Sequence, residues 1–229
     1  MKELVRDFIP PIVLRGIQTF RGRIAALKPV KANGGGQDLD VYWDPRMADV
    51  LDHWGEGNAW NDIQLLMAGK TGRVLDIACG TGRTMELLKG NADIELHGCD
   101  ISDMLIERAV ARGIARDKLQ VSDATAMRYS DGYFDWAYSI GSLEHFTADG
   151  IEKFLKECRR VARFGSFHKV PVSRSGLDEG WIKTFQSYHN NSVSWWDTKC
   201  RTAYEKVTIL DSTWSDQISF GKWLICLSA

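Results

Sequence analysis

The sequence predicts an α/β protein built on a doubly wound, mostly parallel sheet of seven strands. Two observations support this fold class. From residue 74 onward, short apolar segments alternate with segments of helical periodicity, a pattern typical of parallel strands joined by helices. The last two apolar segments, residues 206–210 and 217–227, have no helical segment between them. We therefore expect an antiparallel hairpin strand at the C-terminal edge.

The elements follow one another regularly from the first strand, Val74–Ile77, which leads into a glycine turn and a helix from about Thr84. Further helices are predicted over residues 102–111 and 150–163. The other predicted strands lie at residues 94–99, 119–121, 134–139 and 167–172. Because such sheets bind ligands at the carboxyl ends of their strands, polar residues that directly follow a strand are candidate site residues.

Two segments depart from this alternation. Residues 41–70 are rich in tryptophan and have helical spacing, so they predict a helical cap over the strand ends, either as a packed cover or as a lid over a ligand. Residues 173–204 form a long insertion with Trp181 and His189 among polar residues. Insertions at strand ends are where substrate specificity commonly lies. Residues 41–229 are thus predicted to be a single domain.

Residues 1–40 are predicted to be an extension of amphipathic basic helices and a glycine-rich linker. Residues 1–31 contain seven lysines and arginines against two acidic residues, with a proline break at Pro10-Pro11. Basic residues beside an apolar helical stripe permit peripheral contact with an anionic membrane surface. Packing of the stripe on its own domain or on a partner subunit is the alternative. The oligomeric state does not follow from the sequence.

The composition is that of an ordinary soluble protein, with 229 residues, 44% hydrophobic and 26% charged. The five cysteines have no metal-ligand spacing, so we expect a reducing cytoplasmic location and no metal site. No apolar run has membrane-spanning length. Basic residues and aromatics do not interleave in the body of the chain, so no nucleic-acid partner is expected.

The glycine turn after the first strand contains Ala78, Gly80 and Gly82, preceded by Asp76. Glycines there let the backbone approach a ligand, which the helix N-terminus then faces. A dinucleotide fingerprint would place a third glycine at the position of Met85. Since Asp76 would also repel a phosphate and attract an amine, a dehydrogenase is the least favoured reading.

Two further acidic residues follow the next strands. Asp100 ends the second strand, where a carboxylate accepts hydrogen bonds from ribose hydroxyls. Asp123-Ala124 ends the third strand and is placed to bind an adenine, with Ile101 or Met104 covering the ring. A nucleoside that carries an amine and a carboxylate instead of phosphates satisfies this pattern, and S-adenosylmethionine is such a molecule.

These motifs resemble those of the class I S-adenosylmethionine-dependent methyltransferases. The resemblance runs from about Tyr42 to the C-terminus and implies a Rossmann-like methyltransferase fold. It departs from the family at Ala78, which stands for a glycine, and at Arg163-Phe164-Gly165, which stands for a Pro-Gly-Gly turn. The motifs that carry it are residues 74–84, 96–102, 121–127 and 134–146, the last of which adds Ser139 as a cofactor contact.

Within that family, residues 7–11, 171–176 and 178–181 are similar to methyltransferases of bacterial surface-polysaccharide clusters. This resemblance implies O-methylation of a sugar or glycan. A non-sugar metabolite is the alternative acceptor, favoured if the pocket under residues 173–204 is closed and apolar. A non-catalytic cofactor-binding scaffold is a further alternative.

For catalysis, Glu144 and His145 follow the fourth strand. His145 is the candidate base for an acceptor hydroxyl, and Glu144 is a candidate partner of that hydroxyl or of the cofactor amine. His145 as a packed or helix-capping residue is the alternative. His168, Trp181 and His189 are candidate substrate-binding residues, although histidines of this kind are more often structural.

Overall fold

The computed structural model describes residues 30–31, 36–53, 59–184 and 186–228. The predicted basic helices and most of the glycine-rich linker, and with them the predicted membrane contact, lie outside these residues. Within the described ranges, no helix has the length and apolar character needed to span a bilayer.

The core of the molecule is a seven-stranded sheet. Its strands are β2 (Gly72–Ile77), β3 (Ile94–Asp100), β4 (Leu119–Val121), β5 (Phe134–Ile140), β6 (Ala162–Ser173), β9 (Lys206–Ser215) and β10 (Ser219–Leu227). Across the sheet they lie in the order β4-β3-β2-β5-β6-β10-β9. The first five of these strands run parallel to one another. β10, which lies between β6 and the edge strand β9, pairs antiparallel with both of them. The predicted fold class, including the C-terminal hairpin, is therefore confirmed.

Helices cover both faces of this sheet. On one face a large apolar cluster contains Phe154 and Leu155 together with sheet residues such as Leu75. On the other, Ile63 and Met67 pack with Val74 in a second cluster. A central parallel strand is buried on both faces, and β2 meets this requirement with Val74, Leu75 and Ile77. The helices are α1 (Pro45–His53), α2 (Ala59–Met67), α3 (Arg83–Leu88), α4 (Asp103–Ala111), α5 (Ala148–Val161) and α6 (Val193–Cys200).

Side-chain caps fix where three of these helices begin. The hydroxyl of Ser102 accepts a hydrogen bond from Leu105 N at the start of α4, at 3.2 Å. Thr147 and Ser192 cap α5 and α6 in the same way. Capping satisfies amides that have no partner inside the helix. The caps of α4 and α5 directly follow β3 and the loop after β5, so they position the chain at the carboxyl edge of the sheet.

β6 begins earlier than predicted, because α5 runs directly into the strand at Ala162. Arg163-Phe164-Gly165, which replaces the expected turn, is therefore extended. Gly165 has a φ of 152°, and a Cβ there would lie 2.4 Å from the carbonyl oxygen of Cys226. Glycine is thus required at this position by the close approach of β10.

The predicted insertion, residues 173–204, contains a short ribbon and α6. Its strands, β7 (Trp181–Lys183) and β8 (Ser187–His189), form a second sheet with β1 (Val30–Lys31), in the order β1-β7-β8. Asp38 holds the chain before α1 against this ribbon, accepting hydrogen bonds from Lys183 Nζ and Ser187 N, each at 2.8 Å. The ribbon therefore lies beside the strand ends and not apart from them.

The predicted helical cap corresponds to α1 and α2, and carboxylates attach it to the sheet. Asp62 of α2 accepts hydrogen bonds from Trp223 Nε1 and Thr213 N, each at 3.0 Å. Asp52 of α1 accepts one from the hydroxyl of Thr81 in the glycine turn at 2.5 Å, and it also pairs with Arg112. The cap is thus joined directly to the turn that follows β2.

Candidate functional site

A cavity of about 700 Å³ lies at the carboxyl ends of the parallel strands, within the size range of small-molecule sites. Its lining falls into two parts. The cofactor half follows β2, β3 and β4 and comprises Asp76, Ala78, Gly80, Arg83, Asp100, Ile101, Leu105, Ser122, Asp123 and Ala124. The acceptor half is assembled from several elements and includes Glu144 and His145 after β5, Lys169 on β6, Tyr188 of the insertion, and Trp214 and Asp216 of the C-terminal hairpin.

The turn after β2 has a left-handed backbone at three positions. The φ angles are 55° at Ala78, 53° at Gly80 and 73° at Gly82. A Cβ on Gly82 would lie 3.0 Å from that of Ala109, so glycine there also permits close packing on α4. Ala78 is the only non-glycine residue with a positive φ in the described part of the chain. Its conformation explains why a glycine is the usual residue at this place.

Asp76 is buried at the end of β2, with 2% of its surface exposed. Its Oδ2 accepts a hydrogen bond from the hydroxyl of Thr84 at 2.5 Å, and the phenol of Tyr138 donates to that hydroxyl at 3.4 Å. Burial raises the pKa of Asp76 to about 7. A cationic ligand amine would offset this desolvation, whereas a phosphate would add to it.

Asp100 has the geometry that binding of a ribose diol requires. One carboxylate oxygen accepts a hydrogen bond from Gly80 N and the other from Ser102 N, both at 2.9 Å. Burial raises the pKa of Asp100 to about 6 despite these hydrogen bonds. The backbone amide of Ile101 also favours the ionised carboxylate, and this fixed group lines the cavity, where it can accept hydrogen bonds from hydroxyls.

The far end of the cofactor half lies beyond β4. Asp123 is exposed, and its Oδ1 accepts hydrogen bonds from the backbone amide and the hydroxyl of Thr125, each at 2.8 Å. Ile101 and Leu105 supply the apolar surface there. Met104, the predicted ring contact, is not among the lining residues, because it lies on α4 beside Leu105, whose side chain takes that place.

Arg83, at the start of α3, also lines this half. Its Nη1 pairs with Glu86, while its Nε is buried without a hydrogen-bond partner among the described residues. A ligand carboxylate would satisfy that donor. The amine-binding, diol-binding and carboxylate-binding groups thus fit S-adenosylmethionine. The sequence interpretation missed Arg83, although an arginine directly after a glycine turn is a visible signal.

In the acceptor half, His145 has a defined orientation. Its Nδ1 donates a hydrogen bond to the carbonyl oxygen of Ser187 at 2.8 Å. A carbonyl can only accept, so the neutral ring carries its proton on Nδ1 and leaves the lone pair on Nε2. The side chain lines the cavity. His145 is thus arranged to take a proton from a ligand.

Glu144 lies beside His145 and is 5% exposed. Its Oε2 is buried without a hydrogen-bond partner among the described residues. Burial raises the pKa of Glu144, while the charges of His145 and Lys169 act in the opposite direction. A buried acceptor oxygen at a cavity wall needs a donor, which a ligand hydroxyl or amine would supply.

Comparison with known proteins agrees with this geometry. Residues 74–165 match the sequence profile of the methyltransferase domain family. The match begins in β2 and extends into β6, so it includes the glycine turn, Asp100 and Asp123. Residues 74–165 therefore correspond to a methyltransferase domain. The predicted enzyme class and the predicted cofactor are thereby confirmed for this domain.

The relatives of the methyltransferase domain act on varied molecules. The O-methyltransferase rstn1 of Aspergillus nomiae is 30% identical over 61% of this chain and 63% of its own length. The 2-methyl-6-phytyl-1,4-hydroquinone methyltransferase of Synechocystis sp. is 31% identical over 65% of this chain and 54% of its own. The chain therefore spans between half and two thirds of the length of these two relatives.

Among solved structures, the chain is similar to the 1,6-didemethyltoxoflavin-N1-methyltransferase of Burkholderia thailandensis. The TM-score is 0.66 at 16% identity, covering 88% of this chain and 95% of that one. At this identity the likeness establishes the shared fold. Because it covers 88% of the chain, the likeness extends beyond residues 74–165.

The methyltransferase domain does not bring every predicted residue to the cavity. His168 is fully buried in the core, where Ser139 and Ser166 contact its two ring nitrogens at 2.9 and 2.7 Å and Phe154 of α5 packs on it. Ser139 is buried with it. Since side chains alternate along β6, the neighbour Lys169 faces the cavity instead. The substrate role predicted for His168 and the cofactor contact predicted for Ser139 are not supported by these positions.

Trp181 and His189 also lie outside the lining residues. Their ring centroids are 4.6 Å apart, and His189 packs on Trp195 of α6 at 4.8 Å. They support the ribbon, and the neighbouring residue Tyr188 reaches the cavity in their place. Gly82 also lies outside the cavity lining and packs against Ala109 of α4. No group of three or more metal-ligating side chains occurs among the residues described.

Proposed function

We propose that this chain transfers the methyl group of S-adenosylmethionine to an oxygen atom of a small molecule. The observation that carries this proposal is the continuity of one cavity from Asp100 to His145. His145 is oriented there by Ser187 so that Nε2 is free to accept a proton. Transfer to a hydroxyl requires such a base, because the attacking oxygen must lose its proton.

Five residues of the cavity have a part in this reaction. When bound, S-adenosylmethionine supplies an electrophilic methyl group on a sulfonium. Asp100 holds the ribose hydroxyls, Asp76 the amine and Arg83 the carboxylate. Fixing a reactant at several points converts an encounter between two molecules into a reaction within one complex. His145 removes the acceptor proton, and Glu144 orients a donor group of the acceptor.

Two similarities support this reading. The protein rstn1 is named an O-methyltransferase, and the Burkholderia structure contains S-adenosylhomocysteine, the product that remains after transfer. The narrower acceptor indicated by residues 7–11, 171–176 and 178–181, a sugar of a surface polysaccharide, stays a prediction. In its favour, the carboxylates of Glu144, Asp149 and Asp216 line the cavity, and carboxylates accept hydrogen bonds from sugar hydroxyls.

The test is transfer of a labelled methyl group from S-adenosylmethionine to a panel of nucleotide sugars, lipid-linked glycans, phenols and amines. We expect the label to enter one class of acceptor and to be present in the product as a methyl ether. Calorimetric titration with S-adenosylhomocysteine accompanies the assay. Cofactor binding with no transfer to any class would instead identify a non-catalytic scaffold.

The N-terminal segment is a separate proposal. Residues 1–31, with their excess of basic residues, would hold the domain at an anionic membrane surface. Flotation with anionic vesicles, compared between the full chain and a chain lacking residues 1–31, tests it. Equal flotation of both chains would remove the segment from any membrane role.

A further inference from the structure

The acceptor half contains a buried lysine that the proposed roles do not use. Lys169 is 2% exposed, lies on β6 and lines the cavity. Its Nζ lies 3.8 Å from the centroid of the Trp214 ring. Lysine is almost never this buried in the middle of an apolar strand without a specific function or partner. The indole face holds the ammonium in place and excludes water from it.

Acidic groups approach Lys169 from three elements. Glu144 follows β5, Asp216 lies in the turn between β9 and β10, and Asp62 comes from α2. Burial lowers the pKa of Lys169 to about 8, and these three acids oppose that shift. The side chain is thus charged at neutral pH. Its weak hydration makes it an effective donor to any negatively charged oxygen that enters the cavity.

The side chains that line the cavity therefore include both a base and a cation. His145 accepts a proton through Nε2, and Lys169 stabilises negative charge. An ammonium would repel an amine acceptor in its protonated form. The ammonium of Lys169 stabilises a neutral alcohol only a little. An acidic hydroxyl ionises more readily, and the ammonium stabilises the resulting negative charge.

We propose that the acceptor presents an acidic hydroxyl, phenolic or enolic, and that Lys169 selects it by donating a hydrogen bond to the oxygen that receives the methyl group. This inference rests on the proposed O-methyl transfer and names its substrate class. Lys169 is thus an acceptor-binding residue that the sequence interpretation missed. A lysine inside the apolar segment of β6 is the signal that marks it.

The methyl transfer uses only groups that the cavity, the acceptor and S-adenosylmethionine supply. The hydroxyl proton passes to Nε2 of His145, and Lys169 holds the resulting oxyanion. An oxygen lone pair forms the bond to the methyl carbon as the carbon–sulfur bond breaks, and the electron pair of that bond stays on sulfur. His145 then releases its proton to solvent.

The first experiment needs no turnover. 4-Nitrophenol, whose ionised form absorbs visible light, is titrated with pH in the presence of the protein and S-adenosylhomocysteine. In the parent complex we expect the pKa of the bound phenol to fall by about one unit or more, as a nearby cation produces. In Lys169→Met we expect that shift to be lost and nitrophenolate affinity to fall about tenfold.

Lys206→Met is the matched control, because Lys206 is exposed at the start of β9 and outside the cavity lining. It should retain the parental shift. Melting curves and titration with S-adenosylhomocysteine verify that each variant is folded and binds cofactor. An equal phenol shift in Lys169→Met and the parent, or no binding of 4-nitrophenol to the parent complex, overturns the proposal.

The labelled-methyl panel separates this inference from the proposed function. Transfer to phenols or enols, with kcat/KM rising with acceptor acidity in the parent and less so in Lys169→Met, supports both. Transfer only to sugars or only to amines overturns the acidic-hydroxyl class while methyl transfer itself stands. Absence of transfer to every class overturns the proposed function.

Discussion

The two halves of the cavity are built in different ways. The cofactor half comes from consecutive strand ends, and backbone amides fix its central carboxylate, as Gly80 N and Ser102 N do for Asp100. The acceptor half is assembled from distant segments. It contains the Oε2 of Glu144, for which the described part of the chain supplies no hydrogen-bond donor, and a lysine held over the indole of Trp214.

This difference indicates what each half is adapted to do. Backbone donors cannot be altered by substitution, so the cofactor half is suited to one invariant ligand. The acceptor half depends on side chains from the ribbon and the hairpin, which can change without disturbing the sheet. Within it, a ligand donor would satisfy the buried Oε2 of Glu144, which has no hydrogen-bond partner among the described residues. The comparison predicts that substitutions in the acceptor half change turnover, while those in the cofactor half change affinity and stability.

The largest effect is expected in the acceptor half. His145→Ala removes the proton acceptor, so turnover should fall by about 10²–10⁴-fold. Affinity for S-adenosylhomocysteine should remain that of the parent, because His145 lies outside the cofactor half. Steady-state rates and calorimetry measure the two quantities.

His53→Ala is the control for this prediction, since His53 is exposed on α1 and does not line the cavity. If His145→Ala turned over at the parental rate, the histidine would have no part in the mechanism. If it lost cofactor affinity instead, the two halves would not be separable.

Next in size is Asp100→Ala in the cofactor half. It removes charge-assisted hydrogen bonds to the ribose and leaves the amides of Gly80 and Ser102 without their acceptor. Affinity for S-adenosylhomocysteine should weaken by about 1.5–3 kcal/mol, or about 10–150-fold. Asp93→Ala, at the opposite end of the sheet before β3, should bind as the parent does. Unchanged affinity in Asp100→Ala would overturn the ribose assignment.

A smaller effect concerns stability without cofactor. The pKa of Asp76 is raised to about 7 in the folded chain from the usual 3.8. A raised carboxyl pKa means that the folded state is favoured while the group is protonated, and that this advantage is lost as the pH rises through about 4 to 7. Asp76→Asn removes the titration. The variant should therefore gain on the order of 1–2 kcal/mol over the parent at pH 8 and little at pH 4.

Denaturant unfolding at the two pH values measures this gain, with Asp117→Asn as an exposed control. The same variant should bind S-adenosylhomocysteine more weakly, because the neutral amide no longer attracts the ligand amine. A gain that is equal at both pH values would show that Asp76 is not held at a raised pKa.

The same contrast explains what the sequence could and could not predict. Asp76, Gly80, Asp100 and Asp123 lie at fixed spacings after apolar strands, so their convergence at one edge follows from the fold class alone. Lys169 and Trp214 meet only through the pairing of β6, β10 and β9. No local spacing encodes that pairing.

His168 shows a second limit. Because histidine can bind substrates or move protons, the sequence favoured His168 over its neighbour Lys169. Adjacent side chains along a strand face opposite sides of the sheet, so a difference of one residue decides between the core and the cavity. The register that makes this choice comes from the pairing of Ser139 with His168. An insertion such as residues 173–204 is harder still, because its ribbon is held by Asp38, far away in sequence.

The smallest expected effect tests the one departure from the glycine pattern in the cofactor half. Ala78 has a φ of 55°, where an alanine is disfavoured by about 1 kcal/mol relative to glycine. Ala78→Gly relieves that strain but gives the unfolded chain more freedom. The net gain in unfolding free energy should be positive and below about 1 kcal/mol, whereas Ala137→Gly, in the buried middle of β5, should lose about 1 kcal/mol. Denaturant unfolding of both variants measures the difference. A loss in Ala78→Gly as large as that in Ala137→Gly would mean that the methyl group of Ala78 contributes packing that outweighs the strain of its backbone.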